Sequence, residues 1–191
     1  MKRLLIVGAG GHGRSVAEAA CAAGQYAVVG FIDDVTEVRQ VWAWPAVVGA
    51  TSDLAKYRDL ADAAIVAIGK NDLREKLCER LQAANFELAT IVHPRAIVSP
   101  SAMIGVGSAI MAGAIVGTEA ELGIGAIVNC GAVVDHHCQV QSFGHLGVNA
   151  AMAGGSVLGR GAWMQAGSAL GYGVKVAAWA VLEPGQALRT K

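Results

Sequence analysis

The hydrophobic positions in the C-terminal half of the chain repeat every six residues. Residues 96–191 divide into sixteen consecutive hexapeptides without an insertion, and the third residue of each is aliphatic or methionine, as at Val98 and Val134. The first residue is Ala, Ser, Gly or Cys except at Val174 and Gln186. A period of six fits neither an α-helix, with about 3.6 residues per turn, nor a coiled coil, with about 3.5. The pattern instead predicts short flat strands that turn at small residues.

Three such strands make one triangular coil of eighteen residues. The aliphatic residue points into the prism, and the small residue fits a corner where a larger side chain would collide. Coils that stack at the usual inter-strand spacing of about 4.8 Å each cover the open face of the coil before. The sequence therefore predicts a parallel β-helix of a little over five coils for residues 96–191.

Residues 1–95 alternate short apolar runs with helical patterns. The predicted strands are Leu4–Val7, Tyr26–Ile32, Ala63–Ile68 and a last one near Leu88–Val92, and the predicted helices are Arg14–Ala23 and Asp72–Ala84. This alternation predicts a small parallel sheet with helices on both faces, which is a Rossmann-like α/β domain.

A glycine-rich loop follows the first predicted strand. Gly8, Gly10 and Gly13 match G-x-G-x-x-G between a strand and a helix, where glycine permits a tight turn and a close approach to a phosphate. Asp33 follows Gly13 by twenty residues, the place of the ribose-binding acid in dinucleotide-binding proteins. Because about ninety residues supply only one mononucleotide-binding half, length favours a nucleoside diphosphate over NAD. A glycine loop without a ligand is the remaining alternative.

Charge and composition narrow the possible partners. Fifteen basic and fifteen acidic residues balance, which argues against a nucleic acid or an anionic membrane as partner. No apolar stretch approaches the roughly 20 residues of a membrane span, and the four cysteines show no disulfide spacing, so we expect a cytoplasmic protein with reduced thiols. Charged residues make up only 16% of the chain, which favours an oligomer.

His136 is the strongest catalytic candidate in the repeat region. It is the fifth residue of its hexapeptide, outside the aliphatic column, so its imidazole should project from the prism and can accept a proton near neutral pH. His136 and Gly154 are eighteen residues apart, as are Asn129 and Gly147. Each pair should therefore stack on adjacent coils, and together they should gather polar groups into one strip. A histidine with a purely structural role is the alternative.

Four neighbouring residues could suggest a metal site. They are Cys130, His136, His137 and Cys138. Because residues 130 and 138 are eight apart, they belong to different faces of a coil, and no metal site is predicted.

Five motifs occur in an order that resembles one protein family. They are the glycine loop, Asp33-Asp34, Ala67–Asn71, Ile91–Pro94 and a hexapeptide prism with Val134-Asp135-His136. This order resembles the sugar O- and N-acetyltransferases of the sialic acid O-acetyltransferase type, and among them the acetyltransferases of UDP-4-amino-sugars and GDP-perosamine. The resemblance implies a left-handed β-helix, acetyl-CoA as co-substrate, a nucleotide sugar on the N-terminal domain, and a homotrimer with active sites between neighbouring prisms.

The same resemblance implies roles for individual residues. The implied catalytic residues are the general base His136, its neighbour Asp135 and the pocket-lining Asn129. Implied contacts to acetyl-CoA come from His145 near the thioester, the backbone of Gly154, and Arg160 as one candidate for the phosphates beside Lys175, Arg189 and Lys191. The implied nucleotide-sugar site consists of Gly8, Gly10, Gly11, His12, Gly13, Asp33, Asp34, Gly69 and Asn71.

The implied function is N-acetylation of a nucleotide-linked amino sugar, of the 4-amino-4,6-dideoxy class, for surface-glycan biosynthesis. A sugar O-acetyltransferase and a catalytically weak ligand-binding homologue are the alternatives. The second alternative arises because His137 stands where the family places an acid directly after the base. No role is predicted for Trp42 and Trp44.

Overall fold

The computed structural model describes residues 1–34 and 44–190. Its N-terminal part is a five-stranded parallel sheet in the order β3-β2-β1-β4-β5. These strands are β1 (Lys2–Val7), β2 (Tyr26–Ile32), β3 (Val47–Gly49), β4 (Ala63–Val66) and β5 (Glu87–Leu88). The helices are α1 (Gly11–Ala23) and α2 (Asn71–Ala83), with short 3-10 turns at Thr51–Asp53 and Ala55–Tyr57.

The two helices cover opposite faces of this sheet, as predicted. Successive side chains of a strand point to opposite faces. Leu4 and Ile6 accordingly pack in one apolar cluster with α1, whereas Leu5 and Val7 pack in another with α2. Both clusters extend into the C-terminal half of the chain, so the sheet is anchored on the β-helix.

The β-helix consists of three parallel sheets along one prism. The sheet against the N-terminal domain, here the packed face, contains β6 (Ile91–Val92), β9 (Ala109–Ile110), β12 (Ile127–Val128), β15 (His145–Leu146), β18 (Trp163–Met164) and β21 (Val181–Leu182). The apolar face contains β7 (Ile97–Val98), β10 (Ile115–Val116), β13 (Val133–Val134), β16 (Ala151–Met152), β19 (Ala169–Leu170) and β22 (Ala187–Leu188). The polar face contains β8 (Met103–Ile104), β11 (Glu121–Leu122), β14 (Gln139–Val140), β17 (Val157–Leu158) and β20 (Lys175–Val176).

This architecture is that of a left-handed β-helix of hexapeptide repeats. Paired strands are offset by eighteen residues, as in Val116↔Val134 and Val134↔Met152. The aliphatic third residues fill the prism, and the small first residues, such as Ala114 and Ala132, are fully buried at its corners. The predicted period, strand positions and inward column are confirmed.

The sixth residue of the hexapeptides from the second to the fifteenth adopts a left-handed backbone, which the sequence analysis did not anticipate. From Gly107 to Gly185 every sixth residue has a positive φ. Most are glycines, but Glu119, His137, Phe143, Asn149 and Trp179 occupy the same position with φ between 54° and 62°. Residues with a Cβ seldom adopt this conformation, so each of these five side chains is held at a cost of order 1 kcal/mol.

The prediction of a single strand near Leu88–Val92 is wrong, because the structure has two separate strands there. The chain passes from one domain to the other there: β5 pairs with β4, whereas β6 pairs with β9 of the packed face. Ala89 N–H donates to Ala64 O of the first sheet and Ile91 N–H to Ser108 O of the prism. The apolar run is continuous because both ends of it are buried, although in different cores.

Other element boundaries differ by a few residues. Helix α1 begins at Gly11, three residues before the predicted start, and β3 was not predicted. Trp44 packs half-buried against the cluster around α1, while Trp42 and Lys191 lie outside the described residues. No helix in the described part of the chain is long and apolar enough to cross a membrane.

Candidate active site

The carboxyl ends of β1 and β4 form a crevice next to the packed face. These two strands are neighbours in the sheet, but the chain leaves β1 towards β2 on one side and leaves β4 towards β5 on the other. Open α/β sheets bind ligands at such a switch point. The glycine loop follows β1 and Gly69 follows β4, so two predicted substrate-binding segments meet here.

The glycine loop is shaped by two close contacts. A Cβ on Gly13 would lie 1.9 Å from Gly8 O, and a Cβ on Gly8, whose φ is 110°, would lie 2.8 Å from Ala67 O. Nothing lies within 4 Å of the Cβ positions of Gly10 and Gly11, which are exposed at the start of α1. The close packing at Gly8 and Gly13 therefore holds the loop against the helix. The space above Gly10 and Gly11 stays open, and there the N–H groups and dipole of α1 favour a phosphate.

Asp33 and Asp34 support the loops around this crevice. Ala9 N–H donates to Asp33 Oδ2 at 2.7 Å, which fixes the glycine loop against the end of β2. Asp34 accepts hydrogen bonds from the amide and the hydroxyl of Thr51, both at 2.7 Å. The structure thus brings both acids to the edge where the resemblance placed a nucleotide.

Arg74 lies at the bottom of the contact between the two domains, and the sequence analysis missed it. Its side chain is fully buried, with 0% exposure. It donates from Nε to Gly125 O at 2.8 Å, from Nη1 to Ile68 O at 2.9 Å and from Nη2 to Phe143 O at 2.7 Å. Desolvation lowers the pKa of this guanidinium to about 10. One cation therefore ties α2 to two coils of the prism.

Two predicted site histidines lie near Arg74. His145 is only 6% exposed and stacks on Trp163 with ring centroids 5.5 Å apart. The Gly69 backbone approaches the His145 ring, but neither ring nitrogen makes a hydrogen bond of good geometry within the described residues. His12 Nε2 also has no hydrogen-bond partner there. Burial and the charge of Arg74 lower the pKa of His12 to about 4 and that of His145 to about 3. Both imidazoles are thus neutral at pH 7 and can bond a ligand.

Acid should destabilise the protein through these two histidines. Their folded-state pKa values lie below the usual value of about 6.5, so between pH 6.5 and about 4 the unfolded chain binds protons that the folded chain does not. The free energy of unfolding should therefore decrease as the pH is lowered through that window, by at most about 1.4 kcal/mol per pH unit for each histidine. Urea titrations at pH 7 and pH 5 measure this, and His12→Gln and His145→Gln should each reduce the slope. An unchanged slope in both variants would contradict the assignment.

A cavity of about 330 Å³ opens beside His145 between the packed face and the start of α2. Gly69, Lys70, Asn71, Trp163 and Trp179 contribute to its lining. Asn71 Nδ2 donates to Gly161 O at 2.9 Å, whereas its Oδ1 is buried without a partner among the described residues. The cavity therefore combines two indoles with an unused amide oxygen.

His136 lies on a different part of the prism, at the corner between the apolar and polar faces. As predicted, its side chain projects outward and is 50% exposed. The ring lies over Gly154 of the next coil, where a Cβ would come within 2.5 Å of His136 Nε2. Asp135 Oδ1 accepts the backbone N–H of His136 at 2.7 Å, while its Oδ2 is 3.8 Å from Nε2, too far for a hydrogen bond. Nε2 therefore makes no hydrogen bond among the described residues.

Gly154→Ala should lower activity without unfolding the protein. The new methyl group would displace the His136 ring, and an error of about 1 Å in a catalytic group can cost about 100-fold in rate. Because the ring is half-exposed, it can rotate into solvent, and the melting temperature should change little. Steady-state kinetics and thermal unfolding of this variant provide the check. A wild-type kcat would show that the ring position over residue 154 is not the reactive one.

His137 and Glu119 continue the side-chain network at the same corner. His136 Nδ1 and His137 Nδ1 are 2.9 Å apart, and their rings are nearly perpendicular at 85°. His137 Nε2 lies 3.0 Å from Glu119 Oε2. Glu119 is eighteen residues before His137, so the repeat period could have revealed this contact.

The prediction that His136 and Asn129 share one strip of polar groups on the prism is wrong. His136 stacks on Gly154, and Asn129 N–H donates to the carbonyl of Leu146, the residue before Gly147. The pairs His136–Gly154 and Asn129–Gly147 therefore do lie on adjacent coils. Residues 129 and 136 are seven apart rather than a multiple of eighteen, however, and Asn129 lies at the corner between the packed and apolar faces. One chain thus presents these groups at two corners.

Arg160 lies at the third corner, between the polar and packed faces. Its guanidinium is paired with Glu75 of α2 and sits 5.5 Å from the centre of the Phe143 ring. Its charge is therefore partly used in holding the domains together. The thiol of Cys138 is buried against Ser156 inside the prism, away from the exposed His136.

Known proteins share both the fold and the sequence pattern. Residues 3–81 match the family model described as the PglD N-terminal domain. The UDP-N-acetylbacillosamine N-acetyltransferase of Bacillus subtilis (strain 168) is 35% identical over 117 residues, which cover 59% of this chain and 52%, or about half, of that relative.

Two solved structures are similar over nearly the whole chain. The acetyltransferase domain of PglB from Neisseria gonorrhoeae FA1090 in complex with acetyl coenzyme A has a TM-score of 0.91 and 35% identity, covering 98% of this chain and 93% of that one. A histidine-to-alanine variant of GDP-perosamine N-acetyl transferase from Caulobacter crescentus, in complex with CoA and GDP-perosamine, has a TM-score of 0.92 and 35% identity, covering 98% of this chain and 89% of that one.

Proposed function

This chain belongs to the hexapeptide-repeat family of sugar acetyltransferases, and on that premise we propose that it transfers the acetyl group of acetyl-CoA to the amine of a nucleotide-linked amino sugar. The observation that carries the proposal is the half-exposed His136, whose Nε2 makes no hydrogen bond among the described residues, while a separate crevice offers a phosphate-binding loop. A base and a nucleotide cradle in one chain suit group transfer to an activated sugar.

The nucleotide is assigned to the crevice at the ends of β1 and β4. Gly10 and Gly11 leave space for the diphosphate at the start of α1, and Asp33 and Asp34 stand at the edge expected for the ribose and base. The short glycine loop and single mononucleotide-binding half favour a nucleoside diphosphate sugar. The sugar then extends towards the packed face.

The reaction needs one base and little covalent chemistry. The amine nitrogen attacks the thioester carbonyl, His136 Nε2 accepts a proton from that nitrogen, and the C–S bond breaks as the tetrahedral intermediate collapses. The proton returns from His136 to the departing thiolate, so the products are the N-acetyl sugar and CoA. The N–H of Gly154 makes no hydrogen bond within the described residues and can donate to the acetyl-CoA side of the site.

A 4-amino-4,6-dideoxy sugar is the proposed acceptor class. The support is the 35% identity to proteins named for bacillosamine and perosamine, both over a large part of this chain. An amine is also a better nucleophile than a hydroxyl group. Surface-glycan assembly is the corresponding biological role, and the four free cysteines suit the reducing cytoplasm in which we place it.

A homotrimer would bring the scattered groups together. His136, Asn129 and His145 occupy two corners and the packed face of one prism, so a neighbour must approach to complete one site. The apolar face offers a surface for it, because its outward residues are Ile97, Ile115, Val133, Ala151, Ala169 and Ala187, with Ile97 66% exposed. Large exposed apolar patches of this kind mark interfaces.

Release of free CoA in the presence of different acceptors tests the function. We expect turnover with UDP-, GDP- or dTDP-linked 4-amino sugars and a much lower kcat/KM with the corresponding 4-hydroxy sugars. A preference for hydroxy sugars in direct competition would instead identify an O-acetyltransferase. CoA that produces no calorimetric heat at millimolar concentration would contradict the proposal.

A further inference from the structure

We propose that Glu119 and His137 position His136 and set its tautomer, as a relay of one ion-pair contact and one hydrogen bond that takes the place of an acid directly beside the base. The proposal rests on the proposed acetyl transfer, because it concerns the base of that reaction. The three side chains come from two adjacent coils, since Glu119 lies one coil before His137.

The relay is continuous in the structure. Glu119 Oε2 is 3.0 Å from His137 Nε2, and His137 Nδ1 is 2.9 Å from His136 Nδ1. His137 therefore uses both ring nitrogens, one towards the carboxylate and one towards the base. The contact between the two histidines is a hydrogen bond, whereas the contact between His137 and Glu119 is an ion-pair contact.

The carboxylate sets the direction of the hydrogen bond between the two histidines. The negative charge of an ionised Glu119, 3.0 Å from His137 Nε2, favours a proton on that nitrogen. In the neutral imidazole of His137, Nδ1 is then an acceptor, and His136 must donate from Nδ1. His136 Nε2 is left without a proton, which is the form that a general base needs.

The same relay stabilises the charged base after proton transfer. When Nε2 has accepted the proton of the attacking amine, His136 is an imidazolium that still donates from Nδ1 to His137. Glu119 balances that charge through the polarised ring of His137. When the proton passes on to the leaving thiolate, the relay returns to its starting state.

The other charged groups at this corner do not replace the relay. Asp135 uses Oδ1 for the backbone N–H of His136, and its Oδ2 is beyond hydrogen-bond distance of Nε2. Glu121 lines the same shallow surface pocket as Glu119 and His137, but no hydrogen bond joins it to either histidine among the described residues. Among these acids of the described residues, Glu119 is thus the one that comes within 3.0 Å of a ring nitrogen of this pair.

The backbone supports a specific role for both residues. Glu119 and His137 have φ values of 54° and 56°, at a position where the next two coils of the same corner carry Gly155 and Gly173. Glycine adopts this conformation freely, whereas a residue with a Cβ is disfavoured. In the described part of this corner column, Glu119 and His137 are the residues with a Cβ that adopt this conformation, and both lie next to His136.

Nitrogen NMR of histidine-labelled protein tests the tautomer without relying on activity. We expect His136, assigned by comparison with His136→Asn, to be protonated at Nδ1 and not at Nε2 in the neutral wild-type protein. In Glu119→Gly the direction of the relay is no longer fixed, and the Nε2-protonated form of His136 should appear. An Nε2-protonated His136 in the wild type would overturn the proposal.

Kinetics of a double-mutant cycle test the positioning role. Glycine is compatible with the backbone at both sites, so we compare Glu119→Gly, His137→Gly and the double variant, with Glu121→Gln as a matched control in the same pocket. Each single variant should lose roughly tenfold in kcat, as for loss of a hydrogen bond to a charged group that is partly exposed. KM values should change by less than about twofold.

The double variant decides between a relay and separate effects. Because Glu119 acts through His137, the double variant should be no slower than His137→Gly alone, whereas multiplied losses would contradict the relay. Glu119→Gln, which keeps an acceptor oxygen but not the charge, should recover part of the rate. If the wild type transfers no acetyl group to any acceptor, the proposed function fails, and the NMR result still decides whether the relay exists.

Discussion

Replacing His136 with asparagine should lower kcat for acetyl transfer by about 100- to 10,000-fold, the usual contribution of a general base. Asparagine retains a polar side chain but accepts no proton near pH 7. Because the ring is exposed and lies outside the aliphatic column, stability should be unaffected. Release of CoA at saturating substrate concentrations measures the loss, and calorimetry should show CoA binding close to that of the wild type.

His93→Asn is the matched control for this variant. His93 also follows a strand of the prism, but its Nδ1 accepts a hydrogen bond from Arg95 N–H and it stands at another corner. Its kcat should remain near the wild-type value. Thioester cleavage that survives in His136→Asn would remove His136 as the base.

Replacing Arg74 with methionine should lower the free energy of unfolding by about 3 kcal/mol or more. Methionine fills a similar volume but donates no hydrogen bonds. The carbonyls of Gly125, Ile68 and Phe143 would then be buried without donors, and each costs about 1–3 kcal/mol. Removing a buried charge can be neutral when its partner is also removed, but these backbone carbonyls cannot be removed. Urea unfolding monitored by circular dichroism measures the change.

Two further variants separate charge from geometry at this position. Arg74→Lys keeps the charge but cannot reach three carbonyls in different directions, so its stability should be intermediate. Lys76→Met on the exposed side of α2 should change stability by less than about 0.5 kcal/mol. If Arg74→Met were as stable as this control, the guanidinium would not be the tie between the domains.

The prism could be predicted residue by residue because its structure is local and periodic. A hexapeptide needs an inward aliphatic residue and a small corner residue in every strand, so Val134 and Ala132 occur in register with their equivalents in other coils. The projection of His136 and its stacking on Gly154 follow from the same period. The Rossmann-like domain was predictable for a similar reason, since its strands are buried runs between helical patterns.

Contacts between domains could not be predicted in this way. Nothing periodic connects Arg74 with Gly125 and Phe143, because α2 meets the prism through a docking that is set by three-dimensional shape. The burial of His145 arises from the same docking, since equivalent outward positions such as Trp163 and Val181 are progressively more exposed. The contact of Glu119 with His137 was within reach, because it depends only on the eighteen-residue period.

A crystal structure with CoA and a nucleotide-linked 4-amino sugar would show whether His136 is the base that faces the sugar amine. We expect the sugar amine to lie within roughly 2.6–3.2 Å of His136 Nε2, with the diphosphate over Gly10 and Gly11 and a second protomer closing the site. An amine bound away from every His136 in the assembly, or an Nε2 already occupied by Asp135, would contradict it.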